Sequence, residues 1–306
     1  MTPFQRYLAE EVALDHVDGL IPRREALRRL TLLGLALPAA TALLAACGAD
    51  RESAATSTGT PATSTGTPSA SASPVGPSPL ATEAVTFPGP EKGITLQGAW
   101  AAAADPRGAV LVIHENRGLN DHIRSVAGRL AADGYSSLAL DLLSREGGTA
   151  SFGDPARVTA ALGGISGERF AADMKAALDE LQRRAPGKKL GAVGFCFGGG
   201  MVWLLFSSDE LRLSAAVPFY GPLPENADFS GSTAAVLAIY AGRDDRVNAT
   251  RDRAKAALER AGLTYEIVTF PGVDHAFFND TGQRYDPGAA AQAYRRTLDW
   301  FGRHLA

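Results

Sequence analysis

From about residue 85 onward, short apolar runs rich in β-branched and aromatic residues alternate with longer stretches of helical period. This alternation restricts the chain to a mainly parallel sheet with crossover helices on both faces. The runs are AVLVIHE (residues 109–115), YSSLALDL (135–142), KLGAVGF (189–195), LSAAVPFYG (213–221), AAVLAIYAG (234–242) and TYEIVTF (264–270). Helices are predicted at 121–132, 168–184, 249–261 and 287–304, and an early strand, ITLQGAW (94–100), is expected to pair at an edge. One α/β domain over residues 85–306 follows, of a size that a single core supports. In such sheets the loops leaving the C-terminal strand ends converge, so residues just after each strand are where chemistry is to be sought.

Residues 1–84 read differently. MTPFQRYLAEEVALDHVDGLIP (1–22) is predicted to form a short amphipathic helix on the cytoplasmic side, and RREALRRLTLLGLALPAATALLAAC (23–47) carries a twin arginine, more positive charge, an apolar run and small residues before a cysteine, the pattern of an export signal. The apolar run from Leu30 to Ala46 is broken by Pro38 and falls short of the roughly 20 residues of a membrane span, which favours a cleaved signal over a permanent anchor helix. Leu44-Ala45-Ala46-Cys47 resembles the lipobox of bacterial lipoproteins, so Cys47 is the candidate lipidation site and membrane anchor, with simple cleavage as the alternative. Arg23-Arg24 points to twin-arginine export, although Pro22 stands where serine or threonine is usual and Arg28-Arg29 offers a second register; the general secretory route stays open. Residues 48–84, with their repeated TSTGTP, contain too little apolar surface to offset ordering entropy and read as a flexible tether. The expected location is therefore the extracytoplasmic face of the membrane, or outside the cell.

The net charge of −3 gives no electrostatic reason to bind nucleic acid. Two cysteines are present, and if Cys47 is acylated, Cys196 has no disulfide partner; a lone thiol in an oxidising compartment needs a reason. Cys196 lies in GFCFGGG (194–200), directly after the strand KLGAVGF and before GGGMVWLLF, a strand, tight turn and helix. Such an elbow holds a nucleophile in strained geometry, with Gly194 and Gly198 where side chains would collide, and the helix N-terminus favours negative charge on sulfur or on a developing oxyanion. Of the five histidines, His275 sits in a late post-strand loop, FPGVDHAFFND, and is the candidate base. Asp244 leaves the strand AAVLAIYAG in the spacing G-x-D-x-x-V and is the candidate acid, next to Asp245. The order Cys, Asp, His after three separate strands joins them into one constellation. No metal or cofactor is expected: His114 and His122 lack the helical i, i+4 pairing of a zinc site, and there is no phosphate-binding G-x-x-x-x-G-K-[ST] loop.

GFCFGGG, AGRDDRV, GVDHAFF and the early VIHENRGLN together resemble the dienelactone hydrolase family of α/β-hydrolases, over about Gly93 to Leu305 and in family order. The resemblance implies an α/β-hydrolase fold and hydrolysis of esters or lactones. It further implies that Glu115 hydrogen-bonds the resting thiol, keeps it largely neutral and helps deprotonate it when substrate arrives, and that the backbone N–H groups of Asn116 and Phe197 hold the oxyanion. In the family an arginine four residues after the histidine helps hold the substrate carboxylate; here Asn279 occupies that position, and Arg157 is a candidate for the other arginine, with Arg117 and Arg284 as further cations.

The expectation is thus an exported, monomeric ester or lactone hydrolase acting through Cys196, His275 and Asp244 on a small molecule. A silent ligand-binding lipoprotein of the same fold is the alternative, and the intact set of three side chains argues against it. A thiol redox protein is disfavoured for want of a resolving cysteine.

Overall fold

The computed structural model describes residues 1–55 and 75–306. By internal contacts the chain forms two compact units, one containing the N-terminal residues together with Phe152–Ile165, the other containing 75–151 and Ser166–Ala306.

In the first unit, α1 (Pro3–Val17), α2 (Arg23–Leu32) and α3 (Leu37–Ala55) pack on one another, and α1 and α2 also pack on a helix inserted much later in the chain (Pro155–Gly163). Thr2 and Gln5 form a reciprocal capping box at the start of α1, and Thr2 Oγ1 donates to the Gly163 carbonyl. Leu8, Ala13, Ala26 and Leu30 are buried, and Arg28 pairs with both Glu25 and Asp154. The segment read as an export signal is therefore helical, with Cys47 half-buried in α3. Among the described residues no helix is long and apolar enough to cross a membrane.

The second unit is an eight-stranded sheet in the order β1-β2-β4-β3-β5-β6-β7-β8. Its strands are β1 (Glu83–Pro88), β2 (Thr95–Ala101), β3 (Gly108–Ile113), β4 (Tyr135–Leu140), β5 (Leu190–Phe195), β6 (Leu213–Phe219), β7 (Ala235–Ala241) and β8 (Tyr265–Phe270). The six expected apolar runs all form strands, and these six are mutually parallel. The central runs are buried at every position because helices cover them, which is why they read as unbroken apolar stretches without alternation. ITLQGAW forms β2 but is not the edge: it pairs antiparallel with both β4 and β1, and the edge strand is β1, in which only Val85 and Phe87 are buried. The sheet-side helices are α4 (Asp121–Ala132), α6 (Gly167–Arg184), α7 (Phe197–Phe206), α9 (Arg251–Arg260) and α10 (Pro287–His304); the inserted helix is α5 and a one-turn helix, α8, spans Asp245–Asn248. The expected tether falls partly on residues outside those described; its last residues engage the sheet unit, with Val75 accepting from Arg129 and the Leu80 N–H donating to Gly128.

The position of β3 fixes where a site can form. From β3 the chain steps one way to β4 and later returns on the other side to β5, so the strand order reverses here, the kind of switch point at which sites form in such sheets. Glu115 leaves the end of β3 and Cys196 the end of β5. Beneath them Phe195, Phe219 and Phe278 form an aromatic cluster with ring centroids 4.7–5.2 Å apart, and Trp203 of α7 stacks on Phe229 at 5.5 Å. Replacing the buried Trp203 by alanine removes this packing and is expected to cost about 3–5 kcal/mol, read as a lower urea midpoint at unchanged slope.

Candidate active site

Four non-glycine residues among those described have positive φ: Cys196 (56°), Asp209 (56°), Tyr220 (35°) and Ala276 (63°). Three of them stand at the C-terminal ends of neighbouring strands or in the His275 loop, and strain of this kind persists only where the surroundings enforce it. At Cys196 the enforcement is visible. A Cβ on Gly194 would meet the Gly198 carbonyl oxygen at 2.2 Å, and one on Gly198 would meet the Ile113 carbonyl oxygen at 2.3 Å, so only glycine lets α7 start this close to β5 and β3. The Cys196 N–H donates to the Phe219 carbonyl at 3.1 Å, and the thiol is buried at the N-cap of α7. Phe197 opens that helix, where N–H groups have no acceptor within the helix itself; Asn116 is half-buried in the loop after β3.

Asp244 and His275 come from the loops after β7 and β8, which are tied together by the Arg243 N–H donating to the Val273 carbonyl at 3.0 Å. Asp244 Oδ1 accepts from the Val247 N–H at 3.2 Å, capping α8, which is the physical content of the G-x-D-x-x-V spacing. Its other oxygen, Oδ2, lies 2.5 Å from His275 Nδ1. Burial alone would lower the His275 pKa, but the Asp244 charge, the Cys196 sulfur and the hydrogen bonds to both raise it to about 9. Both neighbours, the carboxylate and the sulfur, favour the charged imidazole.

Glu115 is buried. Its Oε2 accepts from Asn279 Nδ2 at 2.6 Å, while Oε1 has no hydrogen-bond partner among the described residues. Asn279 Oδ1 accepts from the Thr281 N–H and hydroxyl, so the amide can offer Glu115 only its NH2. The residue expected at the substrate therefore holds a carboxylate of the protein. His114 is fully buried and kept neutral by desolvation; it takes the Leu142 N–H on Nε2 and donates Nδ1–H to the Glu115 carbonyl, anchoring the backbone that presents Glu115. Arg157 is an exposed residue of α5 in the first unit, Arg117 is exposed in the loop after β3, and Arg284 is half-buried beyond β8.

Sequence reasoning passed over Tyr220. It follows β6 directly, is buried, and sets its ring edge-on to His275 at 5.0 Å and to Phe277 at 5.5 Å. Desolvation first, then the charges of Glu115 and Cys196, push its pKa well up, so the phenol keeps its proton and can act only as a hydrogen-bonding or packing group. Its position at a strand end on the convergent side was the available signal.

The model of the Dienelactone hydrolase family matches residues 96–305. The chain belongs to the dienelactone hydrolase family. Among curated relatives, a Methylorubrum extorquens protein is 31% identical over 217 residues, covering 66% of this chain and 74% of that one. One from Saccharolobus solfataricus is 28% identical over 246 residues, covering 69% of this chain and 95% of the relative. Both bear the name "Putative carboxymethylenebutenolidase". Among solved structures, a dienelactone hydrolase homologue from Klebsiella pneumoniae superposes with a TM-score of 0.63 at 28% identity, covering 73% of this chain and all of the other. The sheet unit is accordingly an α/β-hydrolase fold of this hydrolase family.

The raised His275 pKa has a consequence for stability. The unfolded histidine titrates near 6.5, so the stabilisation is complete below that pH and is lost as pH rises through about 9. The thermal midpoint is expected to fall across that window, and Asp244→Asn should flatten the fall; an unchanged slope in the variant would show that Asp244 does not hold the charge.

Proposed function

We propose that this chain is an exported hydrolase of ester or lactone bonds that works through a Cys196–His275–Asp244 triad and a thioester acyl-enzyme. The observation that carries the reading is the linkage of His275, at 2.5 Å from Asp244 and with its pKa also raised by the Cys196 sulfur. The relatives' shared name, carboxymethylenebutenolidase, supports a lactone among the substrates.

With the proton on His275, Cys196 attacks the acyl carbon as thiolate. The S–C bond forms, the carbonyl electrons move onto oxygen, and the N–H groups of Phe197 and Asn116 stabilise that oxyanion, each donor contributing about 3 kcal/mol. As the oxyanion collapses the C–O bond breaks, and His275 gives its proton to the departing alkoxide, which for a lactone stays attached to the acyl group. In the thioester the sulfur carries no charge, so one of the causes that raise His275 disappears. The neutral imidazole then takes a proton from water, the hydroxide attacks the thioester carbon, and the C–S bond breaks to return thiolate. Glu115, with Oε1 unpaired beside this chemistry, is the group that takes the thiol proton when substrate arrives and returns it to the thiolate after deacylation.

Cys47 lipidation on the extracytoplasmic face belongs to the same proposal and rests on the lipobox-like LAAC and the signal pattern before it. The test of the chemistry is turnover of p-nitrophenyl acetate and of an unsubstituted lactone by the reduced protein. Cys196→Ala is expected to lower kcat by a thousandfold or more, on the order found when triad members are removed. Turnover persisting in that variant would reject the thiol as nucleophile. For export, the mass of the membrane-extracted protein should begin at a diacylated Cys47; a chain retaining residues 1–46 contradicts it.

A further inference from the structure

A second buried histidine–aspartate contact lies next to the residue that holds Glu115. His122 Nδ1 is 2.7 Å from Asp280 Oδ1, and Arg129 Nη1 is 3.1 Å from Asp280 Oδ2. The side chains of His122 and Arg129 are 2% and 1% exposed, and that of Asp280 is 12% exposed. His122 and Arg129 are seven residues apart on α4, two helical turns, so both project from one face onto the same carboxylate. Arg129 also donates to the Val75 carbonyl at 2.7 Å and, by Nε, to that of Ser125, and the His122 ring meets Phe278 edge-on at 6.5 Å. A buried arginine and aspartate are costly to desolvate, and no step of the chemistry above uses them.

Their place in the chain gives them a use. Asp280 is joined directly to Asn279, whose NH2 is on Glu115, and the loop carrying both begins at His275. α4 begins directly after the loop that bears Glu115: the Gly118 N–H turns back onto the Glu115 carbonyl, and the Asn120 side chain caps the helix at the Ile123 N–H. The result is a closed circuit. It runs from Glu115 through the capped turn to His122, across to Asp280, one residue back to Asn279, and by its amide to Glu115 again. We infer that His122 and Arg129, acting through Asp280, are positioning residues that lock the His275–Asn279 loop to α4 and so set the Asn279 amide on Glu115. This rests on the proposed role of Cys196 and Glu115 and adds to it a device that fixes their spacing. Asp280 suits the task because it stays ionised: burial raises its pKa, but the His122 hydrogen bond and the Arg129 charge outweigh that and hold it below the usual carboxylate range.

The test compares His122→Ala, His122→Asn and Asp280→Asn in the full chain, with Asp173→Asn as the control because it breaks the buried Arg145–Asp173 contact at 2.5 Å, which belongs to no part of the circuit. Three quantities are read: thermal midpoint, kcat and KM for p-nitrophenyl acetate, and the rate at which iodoacetamide alkylates Cys196. Loosening a reacting geometry by about 1 Å costs up to a hundredfold, so His122→Ala and Asp280→Asn should lower kcat by tenfold to a hundredfold with little change in KM and should change the alkylation rate. Asparagine at 122 places an N–H near the Nδ1 position, so His122→Asn should restore both to within about threefold. Asp173→Asn should lower only the thermal midpoint. Should His122→Ala not fold, Asp280→Asn against wild type decides. Variants of the circuit that lose thermal stability as the control does while keeping kcat and alkylation rate would overturn the inference, as would an asparagine at 122 no better than alanine. Turnover persisting in Cys196→Ala would instead sink the proposed chemistry, while the alkylation rates would still report on the circuit.

Discussion

The turn at Cys196 is the constraint on which the site depends. β5 ends at Phe195 and α7 begins at Phe197, leaving one residue to reverse the chain, and that residue is held at a φ of 56°. The turn closes only because Gly194 and Gly198 bring α7 against the backbone of β5 and the end of β3. The closeness places the thiol at a helix N-terminus, between the loop of Glu115 and the loops of Asp244 and His275. Positive φ at Tyr220 and Ala276 shows the same economy of space on the neighbouring strand ends.

Around this turn the polar groups are held in place by other polar groups. Asp244 uses one oxygen to cap α8 and the other to orient His275; Asn279 uses its oxygen on Thr281 and its NH2 on Glu115; His114 is kept neutral and bonded on both nitrogens. A carboxylate or amide with one atom committed to the scaffold presents the other in a defined direction, and such preorganisation lets modest groups act strongly in a water-poor site.

Much of the fold was legible because a parallel sheet covered by helices writes its strands as unbroken apolar runs. The edge was not: EAVTFP buries only Val85 and Phe87, so its pattern resembles surface, and ITLQGAW was expected in its place. α5 gave no signal because nine residues with three alanines and few large apolar groups show little periodicity. At the candidate site, the tight turn at Cys196 was legible from its flanking glycines and the place of Asp244 just after β7 from the G-x-D-x-x-V spacing. The His122–Asp280 contact joins residues 158 positions apart through a fold, and no local pattern in the sequence encodes such a pairing. Asn279 was expected to face substrate; its hydrogen bond to Glu115, across 164 positions, is of the same non-local kind.

The central claim is that Cys196 forms a covalent bond to the acyl group. The most direct measurement is the intact and peptide mass of the reduced protein, acid-quenched during turnover of p-nitrophenyl acetate. One added acetyl group is expected, on the peptide containing Cys196 and removed by neutral hydroxylamine. Acetyl on another residue, or steady turnover with no acylated protein at any quench time, would contradict it.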